Sequence, residues 1–239
     1  MIVREFEDHY EIVNQSAHAL LAERLLKPWQ EVMPDLDWPT LLLATTQHDQ
    51  GWNPTDLRGT LNNDKPLNFL DVDLAEAAQI SQRSVNWGFA QNEKCGILVA
   101  EHFHFLYGRK DTEELQEMGE ELARRRDEAL ANCGLTQDWL KQHYQMLFWA
   151  DTLSLLIVCR PSGFTRALSL KTDQYPFSFT QHSPKEYSLN PWPFAQKSYR
   201  YEYEFRRCPG RAFATEEELA EVLTRAEVHR RQVVVKAER

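Results

Sequence analysis

Five side chains of metal-binding type lie on the apolar stripes of segments with helical periodicity. His18 sits in AHALLAERLL, with Leu21, Ala22 and Leu25 at +3, +4 and +7, so its ring faces a core. His48 has Ala44 at −4, Leu41 at −7 and Trp52 at +4, and Asp49 follows it and looks back at Leu42. His102 is flanked by Leu98, Val99, Phe105 and Leu106 at −4, −3, +3 and +4. Asp151 stands inside MLFWADTLSLLIVC, with Leu147, Phe148 and Leu155 on its face. A lone carboxylate buried there would cost several kcal/mol or stay protonated. A metal ion or a cationic partner removes that cost. Three histidines and two aspartates on the inner faces of four segments predict a shared metal site rather than a structural polar network. Imidazole and carboxylate without thiolate suit one or two ions of Mn, Fe, Co, Ni, Zn or Mg. Cys95, Cys133, Cys159 and Cys208 form no CxxC pair, and none is placed to join.

Other residues near the His48–Asp49 pair have plainer explanations beside functional ones. Trp52 reads as a core or pocket wall. Asn53 and Asp56 could line a substrate pocket, though turn formation alone accounts for both. Arg58, Lys65 and Arg83 are the nearest cations for an anionic substrate, and each also reads as a surface charge. Glu101 is either a partner of His102 or an exposed helix residue. The row Tyr199–Phe205 alternates with charges and reads as sheet packing.

The elements that must position these groups follow from periodicity and punctuation. Met1–Phe6 and Glu11–Asn14 form a hairpin. A helix runs from Ser16 to Trp29, and Pro39 opens another over Thr40–Gln50, ended by Gly51. Trp52–Leu70 reads as one long loop of the kind that is often functional. Helical pattern then runs from Leu74 to about Ala131. Gly108 stops one piece, and Asp111 and Thr112 cap the next. A further helix covers Thr136–Cys159 and ends at Pro161. Beyond it Gln174–Thr180, Tyr199–Arg206 and Val233–Lys236 read as strands. Thr215-x-x-Glu218 is a capping box. The expected fold is mainly α, a helical bundle with a small antiparallel sheet formed by both chain ends. It would be one domain over 1–239: hairpin 1–14, helical body 15–160 and a β-rich part 161–239 packed on it.

Composition narrows the function. The 239 residues carry a net charge of −9, which argues against broad nucleic-acid binding and against docking on an anionic membrane. MIVREFEDHYEI does not read as a signal peptide, so a cytoplasmic location with reduced thiols is expected. Leu153–Cys159 is too short to cross a bilayer. No G-x-G-x-x-G, P-loop or G-x-S-x-G motif occurs.

His18, the pair His48–Asp49 and the late Asp151 resemble the H…HD…D signature of the HD-domain metal-dependent phosphohydrolases. LLLATTQHDQGW is similar to that superfamily's helix ending in an HD pair. More narrowly, the chain resembles an uncharacterised bacterial family known as a domain of unknown function. Its members share a MIVR-type strand, a QxxHAxLA helix, an HDxGW turn and a helix with a buried His near a Tyr-Gly end. Here those are Met1–Arg4, Gln15–Ala22, His48–Trp52 and His102–Gly108. The resemblance implies an HD-like bundle with His18, His48, Asp49 and Asp151 as ligands, and Asp49 also orienting the attacking water. His102 would be a fifth ligand, or would bind a second metal or a substrate phosphate. It implies a metal-dependent hydrolase of a small, anionic, phosphorylated molecule. The alternatives are an HD-type iron-dependent oxygenase and a non-catalytic metal-containing ligand-binding protein. Two departures stand out. Trp52 and Asn53 occupy the positions where some HD nucleotidases carry Glu. His104 lies about 200° around a helix from His102, so the six-ligand set of the oxygenase branch is not visible.

Overall fold

Alternating apolar residues pair the first two strands, β1 (Ile2–Glu5) and β2 (His9–Val13), with Ile2 opposite Val13. The structure is a computed structural model that describes residues 1–107, 113–159, 167–171 and 176–238. Helix α1 (Gln15–Leu26) buries His18, Leu21, Ala22, Leu25 and Leu26 along one stripe. Helix α2 (Trp38–Gln47) starts where the Asp37 carboxylate accepts from the Thr40 N–H, with Pro39 in its first turn.

The next segment departs from expectation. Trp52–Leu70 contains a short helix, α3 (Asn53–Arg58), which ends at Gly59 with φ +70°. A two-stranded ribbon follows, β3 (Leu61–Asn62) and β4 (Lys65–Pro66). Four long helices come next: α4 (Leu74–Gln91), α5 (Glu93–Tyr107), α6 (Glu113–Asn132) and α7 (Gln137–Cys159). Asp73 caps α4 by accepting from the Glu76 N–H at 2.8 Å. The expected stops at Gly108 and Pro161 and the expected caps Asp111 and Thr112 lie outside the described residues. Helices α1, α2, α5 and α7 each pack against at least two of the others. Among the described residues, no helix is long and apolar enough to cross a membrane.

The chain then forms β5 (Ala167–Lys171), β6 (Pro176–Ser183), β7 (Glu186–Asn190) and β8 (Ser198–Pro209). Helix α8 (Glu216–Arg225) and β9 (Val228–Ala237) complete it. The expected capping box is present: Thr215 Oγ1 accepts from the Glu218 N–H, and the Glu218 carboxylate accepts from the Ala214 N–H. The expectation of a mainly α, HD-like bundle with a small antiparallel sheet is overturned. The sheet has seven strands in the order β1-β2-β8-β9-β7-β6-β5, and β7 pairs parallel with β9. Five of its strands follow α7, so it is a principal layer of the molecule. Strands β5 and β7 are five residues each, too short for a strong period-two signal, and β7 finds its parallel partner some fifty residues on. One continuous core joins Leu21 of α1 and Leu147 and Leu153 of α7 to Phe179, Tyr203 and Val233 of the sheet.

Helix α4 seats the turn after α2. The Gly51 N–H donates to Ser84 Oγ, and a Cβ at residue 51 would overlap the Ile80 carbonyl oxygen and come within 2.5 Å of Ser84 Oγ. Gly51→Ala therefore forces α4 and the turn apart. The expected loss is about 1–3 kcal/mol, the usual range for overpacking. Urea unfolding checks it, and an unchanged midpoint would contradict it.

Candidate metal centre

Helix α2 ends just before His48, and the imidazole uses the carbonyl that the ending helix leaves free. His48 Nδ1–H donates to the Thr45 carbonyl oxygen at 2.6 Å. That fixes the tautomer and leaves the Nε2 lone pair pointing inward. Asp49 follows at φ −106°, ψ 15°, outside helical geometry, which turns its side chain to the same point. His18 is held in a similar way from mid-α1. Ser154 Oγ spends its proton on the Asp151 carbonyl at 2.8 Å, so it accepts from His18 Nδ1–H at 2.6 Å. The His18 Nε2 lone pair therefore also faces inward.

These inward atoms meet the two carboxylates. His18 Nε2 lies 2.8 Å from Asp49 Oδ2 and 3.5 Å from Asp151 Oδ1. His48 Nε2 lies 3.4 Å from each of the same oxygens. It is buried and has no hydrogen-bond partner. With bonds of about 2.1 Å, neighbouring donors around one tetrahedral or octahedral ion stand about 3.0–3.4 Å apart. The four His–Asp separations of 2.8–3.5 Å are the spacing of neighbouring ligands around an ion. Imidazole lone pairs aimed at carboxylate oxygens repel them unless a proton or a metal ion lies between. His102 of α5 joins the group: one donor atom each from His48, His102 and Asp151 lie within 4.8 Å of one another, as do those of His18, His48 and Asp49. The buried His/Asp cluster could thus hold a metal ion.

The electrostatics match this geometry. Burial opposes charging His48, but Asp49 and Asp151 outweigh it and raise its pKa to about 9. Burial also opposes both carboxylates, yet the imidazoles around them hold Asp49 and Asp151 below the usual range. For His102 burial prevails and lowers its pKa to about 4.

Asp49, His102 and Asp151 form part of the wall of a cavity of about 360 Å³, while His18 and His48 are enclosed behind them. Trp52 also lines this cavity and meets Phe69 edge to face. The other sequence candidates go elsewhere. Asn53 donates to Gln50 Oε1, and Arg83 donates to the Gly51 carbonyl and pairs with Glu76. Both line a separate groove beside Trp87. Asp56 is buried and accepts from the Met1 amino group at 2.6 Å and the Gln15 N–H at 2.8 Å, a structural tie away from the cavity. Lys65 pairs with Glu5, Arg58 with Glu76 and Glu216, and Glu101 with Arg126. His104 Nδ1 meets the Gly119 carbonyl of α6 at 3.2 Å. His143 Nδ1–H donates to the Trp139 carbonyl, and Nε2 accepts from the Asp37 N–H. Neither belongs to the cluster.

Ser154 escaped the sequence reading. Its only signal was a hydroxyl three residues after Asp151 on the same face of an apolar helix. Ser154→Ala removes the acceptor that orients His18. Divalent-ion affinity is expected to fall 10–100-fold, the usual cost of losing the partner of a ligating histidine. Titration calorimetry with Mn²⁺ or Zn²⁺ checks it, and equal affinity would contradict it.

Residues 1–209 match the family model described as Protein of unknown function (DUF3891), a span that holds all five cluster residues. No curated protein and no solved structure matches the chain.

Proposed function

We propose that this chain, which belongs to the DUF3891 family, is a metal-dependent hydrolase that cleaves a phosphate ester of a small molecule. His18, His48, Asp49 and Asp151 would hold one divalent ion, drawn from Mn, Fe, Co, Ni, Zn or Mg, with His102 as a fifth ligand. The observation that carries this reading is the tautomer-fixed pair His18 and His48. Both aim Nε2 at the same two carboxylate oxygens, directly behind an open cavity. The open side favours a catalytic over a closed structural site. The H…HD…D pattern of these residues supports the phosphate-ester class. That support rests on the residues and not on the fold.

When bound, the ion supplies Lewis acidity: it lowers the pKa of water and polarises a phosphoryl oxygen. The chain's residues do the rest. His18 and His48, locked by Ser154 and Thr45, hold their donors still. Asp49 faces the cavity, orients a water molecule and takes its proton. The water oxygen bonds to phosphorus as the ester P–O bond breaks. Inorganic phosphate and an alcohol leave, the alkoxide taking up the proton that Asp49 drew from the water, which returns Asp49 to its carboxylate. The hydrophobic walls exclude bulk water, which strengthens each of these interactions.

Elemental analysis of protein purified without chelator, followed by a phosphate-release assay on phosphomonoesters, tests the reading. About one divalent ion per chain and metal-dependent release are expected. Protein that takes up none of these ions, or that holds one and releases no phosphate, would overturn it.

A further inference from the structure

We infer that the substrate of this site is an ester of an apolar alcohol, an aromatic or branched hydrocarbon group rather than a sugar or nucleoside. The inference rests on the hydrolase reading for the reacting end of the molecule and on the cavity walls for the other end.

The cavity has two chemically distinct parts. Its floor is Asp49, His102 and Asp151. Away from that floor the walls are mostly hydrocarbon and aromatic rings, including Trp52, Phe69, Phe103 and Leu155, and no Lys or Arg among the described residues lines it. Its volume of about 360 Å³ lies within the ordinary range of small-molecule sites, roughly 300–1,000 Å³. Two elements form the mouth. One is the 3₁₀ turn Phe69–Asp71 with the start of α4, and the other is the last turn of α5. Leu70 and Leu74 on the first and Leu106 on the second line the cavity and are 73%, 44% and 38% exposed. Three large apolar side chains held in water around one opening leave surface that an apolar ligand would cover.

A sugar would fit this wall poorly. Each of its hydroxyls loses water on entry and, among the described residues away from the floor, finds few partners beyond Gln15 and Tyr107. An unmade hydrogen bond of this kind costs roughly ten-fold in affinity. A hydrocarbon group has no such cost and gains from burial. The charge of the reacting phosphoryl group would be met at the floor by the ion, so the walls need no cation of their own.

The test uses the full chain loaded with Mn²⁺ or Zn²⁺. Benzyl phosphate and ribose 5-phosphate are both primary alkyl monoesters, so their intrinsic reactivities are close. A kcat/KM at least about 100-fold higher for benzyl phosphate is expected, the sum of two or more unmade hydrogen bonds. A second readout needs no turnover: calorimetric binding of 2-naphthylmethanol to the loaded protein. Leu74→Asp and Leu106→Asp, at half-exposed positions that tolerate charge, should each weaken that binding at least ten-fold and leave metal content unchanged. Equal or better turnover of ribose 5-phosphate would overturn the inference and leave the hydrolase reading standing. Failure of 2-naphthylmethanol to bind, or binding untouched by both variants, would also overturn it. Binding lost in the variants, with no phosphate released from any ester, would support the apolar pocket and sink the hydrolase reading instead.

Discussion

Asp49→Asn is expected to yield a folded protein that retains no divalent ion and hydrolyses phosphate esters several orders of magnitude more slowly. Asparagine keeps the shape of aspartate, so the packing around this buried side chain survives. Its amide can donate to the His18 Nε2 lone pair, 2.8 Å from the present Oδ2, so the metal-free variant has a hydrogen bond there. The substitution removes a negative charge from the donor set. It also removes the group assigned to orient water and take its proton. Elemental analysis, circular dichroism and phosphate release on the same preparation check the three parts together. Full metal content with undiminished turnover would refute the assignment.

Saturation with a divalent ion should raise the melting temperature by about 8–16 °C. Free ion at 1,000 times its dissociation constant stabilises the native state by about 4 kcal/mol, and a chain of this size gains about 2–4 °C per kcal/mol. The shift should also depend on pH. In the metal-free protein the His48 pKa is raised from 6.5 to about 9. Its stabilising contribution is therefore complete below pH 6.5 and is lost as pH rises through 9. Asp49 and Asp151 are lowered from 3.8, so their contribution is present above that pH and lost as pH falls through their folded values. His102 acts in the opposite sense: its pKa is lowered from 6.5 to about 4, so it costs stability as pH falls below 6.5, and the metal-free protein should be most stable near pH 6.5. An ion must displace the proton on His48, so the gap between loaded and chelated protein should widen from pH 6.5 to 9. Melting curves at pH 6 and 8.5, with and without chelator, measure it. A melting temperature unmoved by chelation, with the metal shown to have left, would contradict the proposal.

The cluster was legible because helical periodicity is strict. A polar residue three, four or seven positions from apolar residues on a helix shares their face, and His18, His48, His102 and Asp151 are all buried. The means of holding them was less legible. The Thr45 carbonyl leaves no mark in a sequence, and Ser154 looks like any small residue in an apolar helix. The cavity walls were harder still. Phe69, Leu70 and Val72 come from a segment with no period at all, set in place by distant partners: the Phe69 N–H donates to the Met1 carbonyl at 2.8 Å, Asn68 Nδ2 donates to the Val3 carbonyl at 3.1 Å, and Phe69 meets Trp52. The sheet misled for a related reason. Tyr199–Arg206 announces itself by alternation, whereas Glu186–Asn190 is a five-residue strand held between its hairpin neighbour β6 and the distant Val234–Ala237. Partners so distant cannot be read from local pattern.

The place of β9 carries a consequence for biosynthesis. It lies between β8 and β7, and it follows every other strand along the chain. While the ribosome is still making it, β1-β2-β8 and β7-β6-β5 can exist only as two separate ribbons. The edges of β8 and β7 that β9 will cover are then open to any passing strand. Joining them is a late, long-range event of the kind that slows folding and exposes nascent chains to aggregation. The strand translated after the other six is thus the one that turns two ribbons into one sheet.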